Sequence, residues 1–91
     1  MVRPEQVRGS THGDYGRMSI TAQALKAIMR QTPNWERMTT TQQEALELIA
    51  TKISRITCGD PNHHDHWADI GGYAELALNR IPHAKARIEG G

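Results

Sequence analysis

The run from Thr40 to Cys58, TTQQEALELIATKISRITC, constrains this chain more than any other stretch. A T-x-x-Q capping box at Thr40 to Gln43 opens it, Gly59 closes it, and neither proline nor glycine interrupts it, so a helix is expected over 40–58. At 100° per residue, Leu46, Ile49, Ile53 and Ile56 fall on one face, and Glu44, Leu48, Thr51 and Arg55 on the opposite one. The Leu/Ile stripe is the expected core face. Its partners must also be helices, because the chain has no phenylalanine and only two valines, leaving Leu, Ile, Met and Ala to build the core.

The flanking segments fit that expectation. Met18, Ala22, Leu25 and Met29 recur at helical spacing, which predicts a helix from Gly16 or Ser19 to Gln31, and Pro33 in TPNW ends it. After the loop GDPNHHD a third helix is expected over 65–81, halted before Pro82, with Trp67, Ile70, Ala74, Ala77 and Ile81 as its core stripe. Pro4 suits the first turn of a short helix over 1–9, and the end of the chain, 84–91, reads as a flexible tail. The expected class is all-α: a single domain over 1–91, a compact bundle of three main helices plus the short N-terminal one. With 91 residues such a domain leaves much apolar surface near water, so completion by oligomerisation is expected. Leu48 and Leu76, on the polar sides of their helices, are the expected subunit contact.

Eleven basic and ten acidic residues are interspersed to a net charge of +1, which offers no surface for duplex DNA. No apolar run is long enough to span a membrane, the start MVRPEQVRGS is no signal peptide, and a lone cysteine, Cys58, fits a reducing compartment; the expectation is a cytoplasmic protein. Cys58 with His63, His64 and His66 matches no common structural zinc spacing.

Two features inside the helices ask for explanation. Glu44 and Glu47 form E-x-x-E, readable as two solvated acids near a helix N-terminus or as a metal pair. Gly71 and Gly72 sit mid-helix at a cost of about 1 kcal/mol each against alanine, which suggests that something approaches the backbone closely: another helix, a second subunit or a ligand. Asp65 and Asp69 share a line with Gly72 and Leu76, so two carboxylates flank that place.

The motifs T-H-G-D-Y at 11–15, Q-x-E-A-L-x-x-I-x-x-K-I-x-R-I at 42–56 and D-H-W-x-D-I-x-G-Y-A at 65–74 resemble a small domain of unknown function carried mostly by phages and prophages. They are similar also to a nucleotide-modification-associated phage domain with D-Y-G, K-x-x-R and D-x-x-x-D-x-x-x-Y. More distantly they resemble the all-α nucleotide pyrophosphohydrolases of the MazG type, in which E-x-x-E on one helix and E-x-x-D on a later one hold Mg²⁺ against a nucleoside triphosphate. That likeness implies Glu44, Glu47, Asp65 and Asp69 as catalytic acids, with Asp65 and Asp69 as Mg²⁺ ligands, although here the second pair is spaced D-x-x-x-D.

For a bound nucleotide, Lys52 and Arg55 are the candidate phosphate contacts. In the glycine-bracketed segment STHGDYG, His12 suits a phosphate, Asp14 a base or backbone amides, and Tyr15 a stacking face. The alternative is structural, with Asp14 stabilising a turn and Tyr15 anchoring it to the core. Tyr73 joins the nucleotide contacts, though it also suits a core or interface, as does Trp67; Trp35 is expected to cap the bundle. Three functions stay open: a Mg²⁺-dependent pyrophosphohydrolase, a non-enzymatic binder that sequesters a signalling nucleotide, and a module that binds and inhibits a host protein.

Overall fold

The computed structural model describes residues 14–82. The expected helix over 1–9, His12 and the tail over 84–91 lie outside them. Among the described residues the fold is all-helical, with α1 at Tyr15–Arg30, a short 3-10 turn at Trp35–Arg37, α2 at Thr40–Cys58 and α3 at His64–Leu78. None of these helices is long and apolar enough to cross a membrane.

Local chemistry sets the boundaries. α1 starts earlier than its apolar spacing implies, because Asp14 is its N-cap and accepts a 2.9 Å hydrogen bond from the Gly16 amide. The capping box of α2 is also one residue earlier than T-x-x-Q at Thr40 suggests. Thr39 accepts from the Gln42 amide at 3.1 Å, while the Gln42 side chain accepts from the Thr39 amide at 3.0 Å. Gln43 is thereby free for another task, and its Nε2 donates to the Trp35 carbonyl at 2.7 Å, pinning the 3-10 turn to α2. Trp35 is buried there, as a cap on the bundle. At the other end, α3 stops at Leu78 and tightens into 3-10-type bonds, from Arg80 to Ala77 and Ile81 to Leu78, before Pro82.

α1 and α3 both pack against α2 and scarcely touch each other. α2 is therefore the middle of an open layer rather than one corner of a closed bundle. Toward α1 it presents Glu47, which receives a bidentate hydrogen bond from Arg30 at 2.8 and 3.1 Å, and Cys58, whose Sγ lies 3.5 Å from Thr21 Oγ1. Toward α3 it presents Lys52, paired with Asp69. Since Glu47 and Cys58 lie within roughly 20° of each other on the helical wheel and Lys52 about 140° away, the two neighbours occupy nearly opposite flanks.

This arrangement changes what is buried. The core is built from Met18, Ala22, Trp35, Ala45, Ala50, Ser54, Ile56 and His66. Small side chains on both flanks of α2 let its neighbours approach, and Ser54 satisfies its hydroxyl by donating to the Thr51 carbonyl at 2.6 Å. Most of the expected Leu/Ile stripe lies on an open side instead, with Leu46 and Ile53 nearly two-fifths exposed. The stripe of α3 fares likewise: Trp67 is 56% exposed and Ile81 41%, and the residue α3 buries most deeply is His66. The reason is topological, since among the described residues no third helix lies across that side of α2 and α3. The second expected stripe is open too, with Leu48 half-buried and Leu76 exposed.

Candidate functional site on the α2–α3 pair

α2 and α3 run antiparallel, and their seam has two grooves. On one side Thr40, Thr41, Glu44 and Leu48 of α2 face Tyr73 and Leu76 of α3 across about 370 Å³. One turn further along α2 from Leu48, and one turn back along α3 from Tyr73, Lys52 Nζ meets Asp69 Oδ2 at 2.8 Å. Arg55, half-buried, follows on the same line of α2, and Asp65, exposed, on that of α3. Charged groups thus extend from an apolar-floored groove along one face of the helix pair.

The imidazoles border this face. His66 is almost wholly buried under the start of α3 and meets the ring of His63 edge-on at 4.5 Å between centroids. His63 and His64 lie 4.0 and 3.9 Å from the Asp65 carboxylate. The Asp69 carboxyl is held below its ordinary value of 3.8, chiefly by the hydrogen bond from Lys52. Desolvation opposes the shift, while the charges of Lys52, His66 and His63 assist it.

The residues expected to act together are divided by this geometry. Glu44 faces the groove, but Glu47, one turn on, is turned to the α1 flank and held by Arg30. Asp69 is engaged by Lys52, and Asp65 points into solvent at the first turn of α3. Among the described residues no three His, Cys, Asp or Glu side chains gather so as to hold a metal ion. Within one chain the four carboxylates therefore do not fit a shared Mg²⁺. Asp14 is committed to capping α1, and Tyr15 is exposed on its first turn rather than anchored in the core. Gly71 and Gly72 are exposed, and a Cβ added at either meets nothing within 4 Å, so among the described residues no element makes the close approach their placement suggests.

Sequence reasoning did not include Thr40 and Thr41, which line the groove, because a threonine ahead of a helix reads first as a cap. His66 was equally hidden. A histidine between an aspartate and a tryptophan, in a polar loop-to-helix junction, carries no sign of burial in the sequence.

A family model described as a domain of unknown function, DUF6378, matches residues 5–81. The chain belongs to this family. The match takes in all three helices and both sides of the seam, so the Lys52–Asp69 pair and the groove lie within the family domain. No curated protein and no solved structure matches the chain.

Proposed function

We propose that this DUF6378 domain binds a nucleotide or a nucleotide-derived phosphate compound on the α2–α3 face, and that it acts as a binding protein rather than a hydrolase. The observation that carries this reading is the Lys52–Asp69 pair beside the groove of Glu44, Leu48 and Tyr73. Leu48 and Leu76 offer an apolar floor, Tyr73 an aromatic ring and a hydroxyl, and Glu44 with the two threonine hydroxyls polar groups for a base or ribose edge. Lys52 and Arg55 supply cations for phosphate oxygens, with Asp69 holding the lysine stem in place until a phosphate competes for it. The likeness of K-x-x-R and D-x-x-x-D to the nucleotide-modification-associated phage domain supports the same ligand class.

Binding is preferred to Mg²⁺-dependent hydrolysis because Glu47 is bonded to Arg30 on the far flank of α2, away from Glu44 and Asp69. In this reading the protein works in the cytoplasm of a host cell and lowers the free concentration of its ligand, as a phage protein that sequesters a signalling nucleotide does.

Calorimetric titration with a panel of linear and cyclic nucleotides tests it, with and without Mg²⁺. The expected result is binding of at least one, weakened about tenfold or more by Lys52→Ala and by Tyr73→Ala, as loss of a charge-assisted bond or a stacking surface implies. Release of phosphate or pyrophosphate would overturn the binding-only reading. Absence of heat with every nucleotide would overturn the ligand class and leave a host protein as the partner.

A further inference from the structure

We infer that the opposite side of the α2–α3 pair is where two copies of this chain join. On that side Leu46 and Ile49 of α2 face Ala74, Ala77, Leu78 and Ile81 of α3 across a groove of about 360 Å³. Ile53 lies one heptad beyond Leu46, and Trp67 one heptad before Ala74, so the same apolar strip continues along both helices. Trp67, Leu78 and Ile81 are 41–58% exposed.

Three observations point to a second copy as the occupant. The first is the helical pattern, which is that of a core: Leu46, Ile49 and Ile53 on α2 and Trp67, Ile70, Ala74, Ala77 and Ile81 on α3 repeat at the spacing of positions kept from water throughout. A permanently joined homodimer presents such a surface, resembling a domain core cut in half. The second is charge. No residue lining the groove is charged, nor are Ile53 and Trp67, so two copies related by a twofold axis bring no like charges together. The other side of the pair carries Glu44, Lys52, Arg55, Asp65 and Asp69 and would not self-associate so freely.

The third is size. α2 has 19 residues, about 28 Å of helix, and two packed helices are roughly 20 Å across, which gives about 500 Å² in flat projection. Side-chain relief raises that toward the ~800 Å² per partner of a standard interface. Among the described residues the core within one chain is correspondingly meagre, half of the buried apolar residues being alanine. Joining α2 and α3 to their symmetry mates stacks the two pairs into a four-helix bundle and leaves the charged face of each copy outward.

Sedimentation equilibrium of the full chain over a range of concentrations tests this, with two charge insertions that differ in side. Leu78→Lys places a cation in the apolar strip near the C-terminus of α3, where the helix dipole favours it; Leu76→Lys places one in the opposite groove. The expected result is twice the chain mass for the unaltered protein and for Leu76→Lys, and the single-chain mass for Leu78→Lys with helical circular dichroism retained. Should Leu78→Lys lose its helicity, Ile81→Lys in the turn beyond α3 takes its place. A single-chain mass for the unaltered protein at every concentration would overturn the inference, leaving the strip to the chain's own ends or to a different protein. Dissociation by Leu76→Lys alone would overturn it as well, by moving the contact to the other side. Both readings are independent of nucleotide binding, which the calorimetric titration measures separately.

Discussion

Lys52 Nζ and Asp69 Oδ2, 2.8 Å apart, join the middle of α2 to the first half of α3, and they do so with a lysine whose side chain is mostly buried and an aspartate that is not. The bond lowers the pKa of Asp69 below its ordinary 3.8. A carboxyl whose folded-state pKa is depressed adds stability above its unfolded value and loses that contribution as the pH falls through the folded one. Unfolding of the protein and of Asp69→Asn, followed from neutral pH into the acid range below 3.8, is therefore expected to show a less stable variant at neutral pH and a gap that closes in acid. A gap independent of pH would mean that the ion pair is not its source.

The Thr39–Gln42 capping box satisfies two backbone N–H donors at the entry to α2. Thr39→Ala is expected to cost about 1 kcal/mol in a denaturant titration, the usual loss for an N-cap threonine. Thr40→Ala, lacking a capping role, is expected to change stability by less than half as much.

His66 is among the largest fully buried side chains of the described residues, with its ring against that of His63. Truncation to alanine opens a cavity at the seam, and a loss of about 2–4 kcal/mol is expected by analogy with other large-to-small core substitutions. Thermal unfolding monitored by circular dichroism measures it. A loss under 1 kcal/mol would show that the helices close over the gap.

Gly72 lies on the ligand side of α3 with open space where a Cβ would stand. Gly72→Ala is expected to stabilise the ligand-free protein by up to about 1 kcal/mol, because the helix gains propensity and the unfolded chain loses freedom. Destabilisation in the same assay would place another molecule against that backbone.

Much of this architecture was legible beforehand. The bounds of α2 follow from a threonine cap and a glycine stop, and the helix ending before Pro33 follows from the clash proline imposes on its predecessor. The Met18 and Ala22 stripe is buried as its spacing implies, with Leu25 and Met29 half-buried beside it. What the wheel does not report is whether a chain owns anything to lay across a stripe. Leu46, Ile53 and Trp67 have the spacing of a core, yet the other two described helices, α1 and α3, are taken up by the two flanks of α2, where Ala50, Ser54 and Ala45 permit tight approach. The acids illustrate the same limit at the site. Glu44 and Glu47 are a single turn apart in sequence, but about 60° of rotation sends one to a groove and the other to an arginine on another helix.

Because α2 alone touches both outer helices, it is the element whose loss dissolves everything else, whereas either α1 or α3 can detach while the remaining pair stays docked. Amide hydrogen exchange should accordingly grade across the layer: slowest along the middle of α2, which opens only with global unfolding, and faster in α1 and α3 through separate partial openings. Whatever binds or pairs on the α3 side would then quench one of those openings and leave the other untouched.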